Sequence, residues 1–239
     1  EGQTQEGADM ERAGKHYVRT IPTSGDAWPG LFFDVEAKSK PIVVRALAFA
    51  SHVYRLEKSV CINVFACNES SIGNEGSILN WDQIFSASNC SLPAVSRHDN
   101  ISDSDAPYGQ VVLNPPVKIA AESTIGFAIY TSSLCGLALR WTSSKPDAQL
   151  ERPEDEDEMG LKIGNATVPI VSSAQKVRRD ATRCVRLKEV TDSNQHLLIR
   201  AGLCSPVTGA DHPFKEEDLD RDAGNVRAFV GEVIYDVEK

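Results

Sequence analysis

From Gly30 to Val237 the chain is a succession of short runs dense in β-branched and aromatic residues, punctuated by Gly, Pro, Asn and Ser, and no segment carries a sustained helical period. Runs of roughly four to eight residues with period-two alternation between turn residues read as strands. The runs are Leu31–Val35, Ile42–Ala50, Val60–Cys67, Trp81–Phe85, Gln110–Leu113, Val117–Ile119, Ile125–Tyr130, Leu137–Trp141, His196–Gly202 and the final stretch to Val237. Short strands of this kind bury their apolar faces only by packing sheet on sheet. The expected fold is therefore all-β, an antiparallel β-sandwich or jelly roll.

Individual runs carry further expectations. Ile42–Ala50 is almost wholly apolar, so it is expected to lie centrally with both faces covered. Leu137–Trp141 is expected to pair with Ile125–Tyr130 through the loop from Ser132 to Gly136, and the polar stretch from Ser86 to Pro107 reads as a loop. In the last run Phe229, Val233, Tyr235 and Val237 share one face, with Gly231 marking a bulge. Residues 1–29 read as an N-terminal tail or linker, polar to about residue 22 but with strand character over Tyr17–Ile21. The sandwich domain then spans 30–239, with a partly irregular insertion at about 144–186 that includes a hairpin turning at Gly164-Asn165.

Four Asn-x-Ser/Thr sequons, at Asn68, Asn89, Asn100 and Asn165, share the chain with six cysteines. A glycan is bulky and hydrophilic, so its asparagine must lie on a surface loop or strand end, and an even cysteine count fits three disulfides made in an oxidising compartment. Together they predict a secreted or cell-surface protein. The chain starts at Glu1 with no apolar segment ahead of it, so any signal peptide is expected to have been removed. Cys61 and Cys67 would stand ~20 Å apart along one strand, too far to bond to each other. The pairing expected from the loops is Cys67 with Cys90, Cys184 with Cys204 and Cys61 with Cys135, one of fifteen connectivities.

The remaining composition mostly excludes. A net charge of −9 without a basic stripe argues against nucleic acid, and no apolar run approaches the ~20 residues of a membrane helix, so a soluble chain is expected. Lys176, Arg178, Arg179 and Arg183 cluster around Asp180 and read as a solvated segment. His16, His52, His98, His196 and His212 form no zinc motif, and there is no G-x-S-x-G elbow, so no catalytic residue and no cofactor is assigned. The acids Glu154–Glu158 read as a self-repelling solvated block. Asp218, Asp220 and Asp222 are weak calcium candidates, because Ala223 stands where a calcium loop needs glycine.

Several segments together resemble a known family. Phe33–Lys38 followed by Pro41–Val44, then Val60–Phe65, Trp81, Pro116–Ile119, Gly126–Tyr130 and Arg227–Tyr235, are similar to the secreted PHR-like jelly-roll repeats of microalgal surface proteins, distant relatives of the PHR domain of large neuronal ubiquitin ligases. The match covers roughly residues 30–143 and 188–239, and it implies a β-sandwich binding or structural module with no catalytic residues to carry over. The insertion, the cysteines and the sequons depart from the pattern and favour an extracellular setting. The expected role is a non-enzymatic structural or interaction subunit of a cell surface, matrix or filament, self-assembling through the N-terminal segment and sheet edges. The alternative is a carbohydrate-binding module that stacks exposed Trp28, Trp81 or Trp141 on sugars.

Overall fold

The computed structural model describes residues 16–20, 26–52, 57–94, 108–141, 160–163, 166–169, 184–215 and 225–238. Its strands are β1 (His16–Arg19), β2 (Asp26–Trp28), β3 (Gly30–Ala37), β4 (Ile42–Phe49), β5 (Glu57–Cys67), β6 (Asp82–Leu92), β7 (Gly109–Ile119) and β8 (Thr124–Thr131). They continue with β9 (Leu137–Arg140), β10 (Gly160–Ile163), β11 (Ala166–Pro169), β12 (Val190–Ser193), β13 (Leu197–Arg200), β14 (Gly202–Ser205), β15 (Val226–Phe229) and β16 (Gly231–Val237). One short 3-10 turn, Ile78–Asn80, precedes β6.

One sheet runs β1-β16-β4-β7. The larger runs β2-β9-β15-β14-β3-β8-β5-β6, with β13 also on β3 and β12 on β13. Every strand pairing is antiparallel. The two sheets face each other across one apolar core. Leu31, Phe33 and Val35 of β3, Val64 of β5 and Phe127 and Ile129 of β8 meet Ile42, Val44, Leu47 and Phe49 of β4, Val111 of β7 and Val233 and Tyr235 of β16. Phe33 stacks on Phe229 at 4.6 Å between ring centres and on Phe127 at 5.7 Å, geometries worth roughly 0.5–1.5 kcal/mol each beyond area burial. The outer face of the large sheet is covered too: Phe32, Phe65, Trp81 and Leu203 pack with Phe214.

The C-terminal alternation is as read, with Phe229, Val233 and Tyr235 in the core and Val237 packed against it. The chain nevertheless changes sheets midway, since β15 pairs β9 and β14 while β16 pairs β4 and β1. Gly231 is the corner, not a bulge: a Cβ there would lie 2.0 Å from the Ala48 carbonyl oxygen, so only glycine lets the crossing strand approach.

Other expectations are corrected. β9 does not pair with β8, whose two sides are taken by β3 and β5; it lies between β2 and β15. The "loop" from Ser86 continues β6 to Leu92, because an edge strand keeps one solvated face and Ser86, Ser88 and Ser91 occupy it. Gln110–Leu113 and Val117–Ile119 are one strand, with the Pro115-Pro116 break absorbed as an irregularity opposite Arg45. β4 is flanked on both sides, but Arg45 turns outward to Asp236 at 2.7 Å, so its outer face is only partly covered.

The N-terminal region is not all tail. β1 pairs with β16 from His16↔Tyr235 to Arg19↔Glu232, and β2 pairs with β9. Val18 is buried in the main core, Arg19 Nε donates to Glu232 at 2.7 Å, and Thr20 donates to and accepts from Gly231 at 2.9 and 2.8 Å. β10 and β11 of the expected hairpin pair antiparallel, in register from Gly160↔Pro169 to Ile163↔Ala166, while Gly164 and Asn165 lie outside the described residues.

Candidate functional site

The features with chemical consequence are the sequon asparagines, the cysteines and the sheet edges. Asn68 follows the last residue of β5 and is exposed. Its loop is fixed from below by Asp34 of β3, a buried carboxylate that accepts the Ser70 hydroxyl and the Ser71 N–H, each at 2.6 Å. Gly126 N donates to Glu69 O at 2.7 Å, and the Trp81 indole donates to Asn74 O at 2.9 Å. A buried carboxylate needs such donors. The result is a rigid rim presenting Asn68 to solvent.

Asn89 is exposed on β6, the edge strand of the large sheet, with φ of 63°. The β5–β6 ladder shifts register around it, between Val60↔Cys90 and Ile62↔Ala87, so the asparagine sits where the backbone turns out of the ladder. Asn100, Asn165 and the calcium candidates Asp218, Asp220 and Asp222 lie outside the described residues. Among the described residues no group of three or more His, Cys, Asp or Glu is placed to hold a metal ion, and no helix is long and apolar enough to cross a membrane.

None of the six cysteines is in a disulfide in this structure. The ladder corrects one expected pair. Cys67 lies opposite Gly126 at one end of β5, whereas Cys90 faces Val60 near the other end, a separation of ~20 Å along the strand. Consecutive antiparallel strands place the closing ends of a hairpin together and its far ends apart, so a cysteine late in β6 meets the start of β5. The Cys67 thiol instead donates to Glu69 O at 3.1 Å, and burial pushes it up to about 11. Cys204, in the core opposite Leu31, is pushed well above the usual thiol range by burial. Cys184 is half-buried and precedes Val185, whose N–H donates to Trp141 O at 2.9 Å. Cys61 O accepts Ser132 N–H at 3.0 Å, which brings its chain beside the turn from Ser133 to Gly136 that carries Cys135.

The aromatic candidates divide. Trp81 is only 7% exposed and packs against Phe32 and Phe214. Trp28 is half-buried against the main core, its indole N–H donating to Asp26 at 3.1 Å; Asp26 is also bound by Arg227, and its carboxyl is held below the usual range by these hydrogen bonds, against the opposing pull of burial. Trp141 is half-buried beyond β9.

The edges differ in character. β6 ends the large sheet with its register shifts, and β7 ends the small one with Pro115-Pro116, which lack N–H donors. On the opposite flank the small sheet ends in the four-residue β1. Sequence reasoning missed that β1 completes the sheet and that His16, His196 and Tyr235 meet beside it, because these residues lie far apart along the chain. No protein-family model, curated protein or solved structure matches the chain.

Proposed function

We propose that the protein is a secreted, N-glycosylated, disulfide-bonded β-sandwich acting without catalysis as a structural or interaction subunit of a cell surface, extracellular matrix or filament. The observation that carries this reading is the position of Asn68 and Asn89: both sequon asparagines are exposed where the chain leaves a ladder, one on a loop rim and one at a bulge of an edge strand. The resemblance to secreted PHR-like repeats supports the same role. The carbohydrate-binding alternative needs open aromatic faces, and the burial of Trp81 argues against it. Peptide mapping of native material with and without glycosidase tests the proposal. Glycan is expected on Asn68 and Asn89, and finding all four sequons bare would refute the compartment.

Self-assembly is proposed to use β1. A glycan on Asn89 would obstruct the β6 edge as Pro115-Pro116 obstruct β7; of the ends that remain, β1, the three-residue β2 and β12, the contact with a second copy is assigned to β1. Because β1 already fills the β16 edge of its own chain, assembly proceeds by exchange: β1 leaves and is replaced by the β1 of a neighbour, a head-to-tail contact that propagates. Tyr17 and Ile234 are directly opposed, so Tyr17→Cys with Ile234→Cys locks the strand at home. Sedimentation should show the oxidised double variant as monomer where the wild type polymerises. Equal polymerisation of both would refute the exchange.

A further inference from the structure

His16 on β1 and His196 in the turn between β12 and β13 come from the two facing sheets, 180 residues apart in sequence, and their ring centres are 5.1 Å apart at an interplanar angle of 71°. Two imidazoles bound to one tetrahedral ion at about 2.0–2.1 Å place their ring centres about 5 Å apart. Both rings are half-buried and held from behind. His16 stacks on the fully buried Tyr235 at 5.7 Å, and His196 meets the same ring edge-on at 6.1 Å. Asn194 fixes the turn: its amide donates to the Tyr235 hydroxyl at 2.6 Å, while its side-chain oxygen accepts the backbone N–H of His196 at 2.9 Å and of Leu197 at 3.1 Å. Lys38 N–H closes the turn on His196 O at 2.8 Å. These bonds fix the backbone of the turn and the Tyr235 ring, so the two imidazoles stand on a packed base, and metal ligands need such positioning.

We infer that His16 and His196 form a two-histidine site for a divalent late transition-metal ion, zinc, nickel or copper, with solvent completing the coordination. The ion clasps the N-terminal strand of the small sheet to the β12–β13 turn of the large one. Imidazole donors suit these ions, with copper bound most tightly. The site does not rest on the glycosylation or assembly proposals, and an ion bound there would oppose the exchange of β1.

The test uses the full chain and the metal salts alone. His16→Phe and His196→Phe keep a ring in each position and remove the ligands. Zinc should raise the Tm of the wild type by several degrees with one ion per chain, and each variant should bind at least tenfold more weakly. Copper in the wild type should show electron-spin coupling to two nitrogens, falling to one in either variant. Should His196→Phe fail to fold, His16→Ala at the sheet edge and the copper spectrum of the wild type carry the test. Equal zinc affinity in wild type and variants, or a copper spectrum unchanged by the substitutions, overturns the assignment.

Discussion

β1 and β16 lie side by side in one sheet, yet they are held by different physics. β16 is clamped between β4 and β1, with Val233 and Tyr235 fully buried, and its stability is that of the core itself. β1 has one strand neighbour and one buried apolar side chain, Val18; the rest of its attachment is its short ladder to β16, the packing of His16 on Tyr235 and His196, and the polar contacts of Arg19 with Glu232 and of Thr20 with Gly231. A strand anchored by apolar periodicity unfolds with the protein. One anchored by a few directional contacts at an edge opens alone.

The largest expected effect follows from the core strand. Tyr235→Ala removes a fully buried ring and should cost about 3–5 kcal/mol of global stability, as large-to-small aromatic truncations do; chemical denaturation measures it, and a loss under 1 kcal/mol would place Tyr235 outside the core. Val18→Asp should cost less, about 2–3 kcal/mol, because β1 can detach instead of burying the carboxylate. Its signature is selective: protease sensitivity before Thr20 with an intact sandwich, and new self-association through the uncovered β16 edge. Cooperative collapse of the whole fold in this variant would erase the distinction between the two strands.

A smaller effect belongs to neither strand and serves as their control. In the reduced chain, burial raises the Cys67 thiol from an ordinary value near 9.0 to about 11, and Cys204 shifts in the same direction for the same reason. A raised thiol means that the folded state favours the neutral form. Its contribution is therefore complete below the unfolded value and is lost as pH climbs from about 9 through 11, by roughly 3 kcal/mol for Cys67. Cys67→Ala should flatten that part of the alkaline stability curve, while the opening of β1 should not follow it. An unchanged slope would mean that the thiol is not desolvated.

The same contrast explains what could be read from the chain. Phe229, Val233 and Tyr235 announce their strand by alternation, and that pattern survives even the change of sheet at Gly231. β1 offers no such pattern, since the partners of Arg19 and Thr20 lie more than two hundred residues away. The part of β6 from Ser86 to Leu92 reads as a loop because an edge strand with a solvated face has the composition of one. The sequons at Asn68 and Asn89 were legible as motifs. What makes the Asn68 rim rigid was not, because Asp34 reaches it from a different strand of the sheet. The Cys67–Cys90 expectation failed on register, which depends on where the hairpin closes and not on how long its loop is.

Residue-resolved hydrogen exchange is the most direct test of the claim that β1 is a separately opening strand of an assembling sandwich. The amide of Thr20, bonded to Gly231 O, should exchange through a local opening well below the global unfolding free energy, whereas the amides linking β3 to β8 and β4 to β16 should exchange only with global unfolding. Equal protection of β1 and the central strands would contradict the account.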